Sequence, residues 1–356
     1  MLTIIIVLLV FSVLILIHEA GHFFAAKKAG ITVEAFSLGL GKRIWGRKIG
    51  ETDYRICIFP FGGYVKMAGE DPDEAKGAEG EFGTKPVGHR FWVIAAGAIT
   101  NYIFAFILFS VIFMMGIPTL SNEVGQILKG YPAEKAGMRE GDEIISINDM
   151  KTEYWEDILI AIKKGTAESD TLSLALRRDG KKVTVKIKPE IHETKNIFGQ
   201  KITRHMIGIG PANKVLDVSY SPGKAIYYGG KKLLELTAMT YKGIWLLLTG
   251  GMPVKTSVSG PIGIAYFIGK AASLGIVPLL VITAHISMAL AIFNLLPFPV
   301  LDGGHLIFLG FEKLRGRPVS PKVQEVIAQI AIILLIAFAL FVSWQDVLKF
   351  TPLGGK

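Results

Sequence analysis

His18-Glu19-Ala20-Gly21-His22 is the stretch of this chain best equipped for chemistry. Positions four apart share one face of a helix, so His18 and His22 can turn two imidazoles toward one zinc ion. Glu19 falls between them and is placed to act as general base on an attacking water. The competing reading is a chance spacing within a helix. It weakens here because the stretch ends a long apolar run, where ionisable side chains are costly unless they are used.

A catalytic zinc takes three protein ligands and keeps one position open, so a third His, Asp or Glu is needed at similar depth. Asp302 is the leading candidate, within Asn294-Leu-Leu-Pro-Phe-Pro-Val-Leu-Asp302-Gly-Gly at the end of another apolar run. Pro297 and Pro299 interrupt regular helix, and such backbone is tolerated at membrane depth only where it is buried in protein or lines a cavity. His305 and Glu312 are rival ligands lying beyond that break. His285 reads as a bundle-facing polar contact, and His89, His192 and His205 as ordinary histidines without a ligand partner at useful spacing. Asn294 neighbours the broken backbone, where its amide can hold extended substrate or polarise a carbonyl, or cap a helix end. Asn101 reads equally as a site contact and as a hydrogen-bonding link between helices beside Gly97.

The elements that must position these groups are membrane spans. With 356 residues, 51% hydrophobic, and a mean hydropathy of +0.44, the chain is too apolar for an ordinary soluble protein. Four runs, at about 2–26, 91–117, 277–296 and 323–342, have the roughly 20 residues that a hydrocarbon core of about 30 Å requires. The first lacks a cationic segment before its apolar run and is expected to be retained rather than cleaved. Counted from Leu2, His18 lies about 24 Å along its helix, toward the inner face.

The net charge of +9 comes from Lys and Arg flanking the apolar runs rather than forming a nucleic-acid motif, so no nucleic-acid partner is expected. The basic 27–90 and 303–322 connections are expected inside. Both termini and residues 118–276 are then outside, with the site toward the cytoplasmic side. Cys57 is the only cysteine, which excludes an intrachain disulfide and a Cys-rich zinc site.

Between the spans, residues 54–67 alternate like a strand broken by Pro60 and Gly62-Gly63, which predicts a hairpin or β-loop. The acidic stretch at 71–83 reads as a solvated loop. Residues 118–210 have the pattern of a compact α+β unit of PDZ size: a helix near 155–164 and strands near 171–177 and 182–188. A Lys-bearing amphipathic stretch at 220–249, with Tyr227, Tyr228, Tyr241 and Trp245, suits a helix at the membrane surface. The expected fold is a polytopic α-helical membrane protein with a membrane-associated β-loop and one inserted α+β unit. Its parts are 1–117, 118–210, an interfacial 211–276, and 277–356.

Taken together, these motifs resemble the site-2 proteases, specifically the bacterial type with an inserted PDZ domain, such as the regulator of sigma-E protease. His-Glu-Ala-Gly-His at 18–22, Gly-x-x-x-Asn at 97–101, the Gly130 to Asn148 stretch, Ser259-Gly-Pro-Ile-Gly-Ile264 and the 294–304 stretch occur in the family's order. The resemblance implies one zinc per chain held by His18, His22 and Asp302, with Glu19 as general base. It also implies that Asn294 helps accommodate substrate, beside Pro297, Pro299 and Asn101 as candidate substrate contacts read from the residues, and that the edge of the 54–67 β-loop pairs with unwound substrate. Implied partners are the lipid bilayer of the bacterial cytoplasmic membrane, single-span substrates such as anti-sigma factors or remnant signal peptides, and a prior site-1-type protease. Residues 118–210 have room for one PDZ unit where some relatives have two, and Ala98 stands where a proline often follows the glycine.

Two other readings compete. An inactive PDZ-bearing membrane scaffold has no reason to keep His18, Glu19, His22 and Asp302 in apolar surroundings. A zinc hydrolase acting on lipids or small molecules fits poorly with a PDZ-like unit, which favours polypeptide.

Overall fold

The computed structural model describes residues 2–71, 74–196 and 198–350. Positions 72 and 73 of the acidic loop, 197 of the inserted unit and 351–356 of the C-terminal part lie outside the described residues. The chain begins with α1 (Leu2–Lys28), β1 (Val33–Ile49), β2 (Thr52–Met67) and α2 (Val87–Met115). There follow β3 (Ile117–Leu120), β4 (Val124–Ile127), α3 (Pro132–Lys135), β5 (Glu143–Ile147), β6 (Met150–Lys151) and α4 (Trp155–Glu168). Then come β7 (Leu172–Arg178), β8 (Lys181–Ile187), β9 (Glu190–Lys195), β10 (Lys201–Met206), β11 (Ile209–Pro211) and β12 (Val215–Val218). The remainder is helical: α5 (Pro222–Leu248), α6 (Val254–Ser257), α7 (Pro261–Leu274), α8 (Ile276–Asn294), α9 (Asp302–Arg315) and α10 (Pro321–Phe350). Two compact units result, one formed by Met1–Ile112, Gly223–Lys242 and Val254–Lys356, the other by Phe113–Pro222 and Gly243–Pro253.

In the first unit α1, α2, α8 and α10 are long and apolar enough to cross a membrane. They coincide with the four runs read from the sequence. Helix α1 ends where Lys27 and Lys28 meet Gly30, whose φ of +67° stops a helix at no steric cost. Helices α1 and α2 touch at Gly21, where an added Cβ would lie 2.8 Å from the Ala96 carbonyl carbon. The Thr100 hydroxyl then donates to the Ile17 carbonyl at 3.0 Å across the same contact. Close approach of this kind depends on small residues, because lipid gives helices little hydrophobic reason to associate.

The β-loop differs from its sequence reading. Strand β2 runs unbroken past Pro60 and Gly62, and its partner is β1, to which the sequence reading assigned no element. The turn is Gly50-Glu51, with Gly50 at φ +61°. Glycines at 39, 41 and 46 hide β1 from a period-2 pattern; Gly39 and Gly41 have φ near +89° and +88° and mark its register shifts. Phe36 is registered with both Val65 and Tyr54, and Ser37 with both Tyr64 and Arg55, so β2 flanks this part of β1 on both sides.

The interval read as one interfacial segment contains three helices. The first half of α5 runs antiparallel to α2: an added Cβ on Gly229 would sit 2.8 Å from the Ser110 nitrogen, and the Thr237 and Tyr102 hydroxyls are 2.8 Å apart. Helix α7 is apolar and packs on α1, α8 and α10. Its N-terminus explains Ser259-Gly-Pro-Ile-Gly. The wholly buried Asp346 of α10 accepts the Gly260 and Gly263 N–H groups, each at 2.8 Å, satisfying donors that a helix start leaves free. A side chain at either glycine would meet that carboxylate at 3.0 Å.

In the second unit an antiparallel sheet of order β6-β5-β7-β8 packs against α4. Ile144, Ile147, Ile158, Leu172, Leu174 and Leu176 are wholly buried between them; alternate positions of β7 face the core, while a register shift in β5 sets its two buried isoleucines three apart. Asp142 is buried beside this sheet and accepts Arg178 Nε and Nη2, both at 2.7 Å, and the Arg139 N–H at 2.8 Å. Burial alone would raise its carboxyl group, but Arg178 and the Arg139 N–H hold it below the usual range. Its stabilisation is therefore complete above the unfolded carboxyl value of about 3.9 and is lost as the pH falls through the lower folded value. Hydrogen exchange of β5 and β7 should report level stability from pH 7 to about 5 and a fall below about 4. Arg178→Gln, which leaves Asp142 buried and unpaired, should cost this unit about 3 kcal/mol at neutral pH.

Candidate metal centre

Three elements of the first unit build the site around its donor set. The last three turns of α1 carry His18, Glu19 and His22, the first residue of α9 is Asp302, and α2 supports the imidazoles. The ligand atoms of His18, His22 and Asp302 all lie within 4.8 Å of one another. His18 Nε2 is 3.1 Å from His22 Nε2 and 3.3 Å from Asp302 Oδ2, and His22 Nε2 is 3.7 Å from that same oxygen. Asp302 Oδ2 is buried with no hydrogen-bond partner among the described residues. A carboxylate oxygen orphaned between two imidazoles is what a divalent cation would satisfy.

The surrounding groups orient the ligands. His22 Nδ1 lies 2.8 Å from the Val93 carbonyl, which can only accept, so Nδ1 carries the proton and Nε2 is left free to ligate. The Asn294 amide is 3.5 Å from His18 Nδ1. Both rings lie over Gly97 of α2, where an added Cβ would overlap His22 Nε2 and come 2.7 Å from His18 Cε1. Opposite α2, an added Cβ on Gly63 of β2 would sit 3.3 Å from Glu19 Cγ, so β2 backs the glutamate.

Asp302 is aimed by its own backbone. Residues 295–301, which include Pro297 and Pro299, follow α8 without regular helix, and α9 packs directly onto them. Added side chains at Gly303 and Gly304 would meet the Leu295 carbonyl carbon and Pro299 Cα, each at 2.6 Å. The Gly-Gly after Asp302 thus seats the start of α9.

A cavity of about 1040 Å³ opens on the site and is walled by α1, β2, α9 and the loop after β2. That loop is shaped by Glu81, whose carboxylate accepts the Lys76 N–H at 3.0 Å and the Gly77 N–H at 2.9 Å; these donors, Lys76 first, hold it below the usual carboxyl range.

The structure brings His18, Glu19, His22, Asp302 and Asn294 together. Asn101 lies one turn beyond Gly97; its buried amide has no partner among the described residues, and its carbonyl accepts the Ser287 hydroxyl at 2.8 Å. It is not among the residues lining the cavity. His305 lines the cavity outside the ligand group, Glu312 pairs with Arg90, and His285 Nδ1 is 2.7 Å from the Val281 carbonyl. The sequence reading gave the Val93 carbonyl and the Gly63 backbone no part in the site, although both lie against its side chains. Only Gly63 carried any signal, as half of a Gly-Gly pair inside a strand.

Comparison with known proteins agrees with this arrangement. Residues 6–338 match the model of peptidase family M50. A Clostridium acetobutylicum protein is 35% identical over 350 residues, covering 97% of each chain, and a Campylobacter jejuni protein is 32% identical over 343 residues, covering 95% of this chain and 91% of its own. Both carry the name "putative zinc metalloprotease". The regulator of sigma-W protease RasP of Bacillus subtilis is 29% identical over 426 residues, covering 97% of this chain and 98% of its own. With a His-His-Asp donor set whose two histidines stand beside a glutamate on a helix long enough to cross a membrane, the chain belongs to peptidase family M50, as a zinc metalloprotease of the membrane.

Proposed function

We propose that His18, His22 and Asp302 are the zinc ligands, that Glu19 is the general base, and that the substrate is a single-span membrane protein already trimmed on its outer side. The observation that carries the reading is the convergence of the Asp302 carboxylate on His18 and His22, beside Glu19 of the apolar α1. Zinc, when bound, polarises the scissile carbonyl and favours ionisation of water at neutral pH. Glu19, backed by Gly63 of β2, takes the proton of the attacking water and returns it to the leaving amine. Asn294 lies beside the ligand set, where its amide can donate to the substrate backbone.

A transmembrane helix must be unwound before its peptide groups can be attacked, and pairing with the 63–67 edge of β2 supplies hydrogen bonds to the opened segment. Lys and Arg in the 27–90 and 303–322 connections support an inner-side active site, with the second unit outside the bacterial cytoplasmic membrane. The name of the B. subtilis relative ties it to sigma-W regulation, which supports an anti-sigma factor or remnant signal peptide as substrate here and a site-1-type protease acting first.

In the second unit, a groove of about 890 Å³ lies between α4 and residues 202–209 and suits an extended peptide end, as in a PDZ domain. Gly130–Ala133 backs this groove without lining it: the Leu128 N–H donates to the Gly208 carbonyl and the Ala133 N–H to that of Ile207, at 2.9 and 2.8 Å. The test compares cleavage of one tagged single-span substrate with and without its outer domain. The trimmed form should be cut at least about tenfold faster, a difference of about 1.4 kcal/mol in barrier. Equal rates would sink the requirement for trimming, and absence of cleavage of either form would favour the scaffold reading.

A further inference from the structure

Arg90 and Glu312 form a bidentate ion pair, Nη1 to Oε2 at 3.1 Å and Nη2 to Oε1 at 2.5 Å. They are 222 positions apart in sequence, and their side chains are 11% and 17% exposed. Apart from the His–Asp302 contacts, this is the only ion pair between helices of the first unit among the described residues. Few partly buried charges are kept without a task, since each must be desolvated. Both residues line the cavity, yet neither belongs to the ligand group.

Their positions in the helices give the pair its meaning. Arg90 is in the first turn of α2, three residues before Val93, whose carbonyl orients His22, and seven before Gly97, on which both imidazoles rest. Glu312 is ten residues beyond Asp302 on α9, about 15 Å along a rigid helix. The start of α9 is seated through Gly303 and Gly304 on the 295–299 backbone, which fixes a pivot without fixing a direction. A second attachment is needed to fix where Asp302 points, and the ion pair is that attachment, made to the helix that positions the two histidines. Arg90 is itself held, with Nε donating to the Lys85 carbonyl at 2.9 Å and the guanidinium 6.0 Å from the centre of the Phe82 ring.

We infer that Arg90 and Glu312 are positioning residues for the metal centre, a latch between α2 and α9 that holds the Asp302 carboxylate at the distance from His18 and His22 that zinc requires. The latch rests on the reading of those three residues as the zinc ligands.

Zinc release from the purified, zinc-loaded protein to a chromogenic chelator tests it, with folding followed by gel filtration and thermal unfolding. Glu312→Gln, Arg90→Gln and the double variant are compared with wild type, and Glu312→Asp serves as a milder probe that keeps the charge and shortens the reach. Groups that orient metal ligands are worth roughly 10–100-fold in metal affinity, so each Gln variant should release zinc at least about tenfold faster. Because the pair acts as a unit, the double variant should be no worse than either single one, and Glu312→Asp should fall between wild type and Glu312→Gln. Wild-type release rates from folded Glu312→Gln, or from Glu312→Asp should the Gln variants not fold, would overturn the latch. So would additive losses in the double variant. Wild-type protein that takes up no zinc, or keeps it in Asp302→Asn, would overturn the ligand assignment instead.

Discussion

Glu19→Gln is expected to keep its zinc and lose its cleavage. Glu19 contributes no atom to the group formed by His18, His22 and Asp302, so metal content should stay at about one per chain. The amide cannot take a proton from water, and general-base catalysis contributes about 10²- to 10⁴-fold, so hydrolysis of a single-span substrate should fall by roughly 1000-fold. The amide has nearly the shape of the carboxylate against Gly63, and the local fold should be preserved. Metal analysis and a gel-based cleavage assay on the same preparation separate the two effects. A variant that cuts like wild type would remove Glu19 from the mechanism.

Gly97→Ala should do comparable damage through a group that touches no substrate. The new methyl would occupy the space of the His22 ring and crowd His18 Cε1, so both imidazoles must move. With His22 pulled from the Val93 carbonyl and both Nε2 atoms turned away from Asp302, zinc content should fall well below one per chain. Cleavage should drop at least about 100-fold, in line with the loss of groups that orient metal ligands. Since Ala stabilises a helix interior by about 1 kcal/mol over Gly, the variant should not unfold for reasons of helix propensity. Full zinc occupancy with normal activity in Gly97→Ala would show that the rings do not rest on α2 as described.

The sequence announced the site better than its supports. Ionisable residues in an apolar helix and prolines before Asp302 each violate a rule, and the violations met at one place. The four spans were equally legible, because about 20 consecutive apolar residues have few other uses. Strand β1 was not, since three glycines break its alternation while serving its bends. Helix α7 was hidden for a different reason: a largely apolar helix of 14 residues is too short to span, and only its packing on α1, α8 and α10 makes it an element. Asp346 reads from sequence as one polar residue near the end of a span, and nothing local connects it with glycines more than 80 positions earlier. Backbone groups such as the Val93 carbonyl carry no residue-type signal at all, so the orientation of His22 becomes visible only when α1 and α2 are packed together.

Hydrolysis of a peptide bond inside the membrane by the centre of His18, His22 and Asp302 is open to one direct measurement. Products from a trimmed single-span substrate, cut by purified wild type and by Asp302→Asn, are mapped by mass spectrometry. One scissile bond within the apolar run is expected for wild type, and no product for Asp302→Asn. A cut outside the span, or the same products from a zinc-free Asp302→Asn protein, would contradict intramembrane zinc proteolysis.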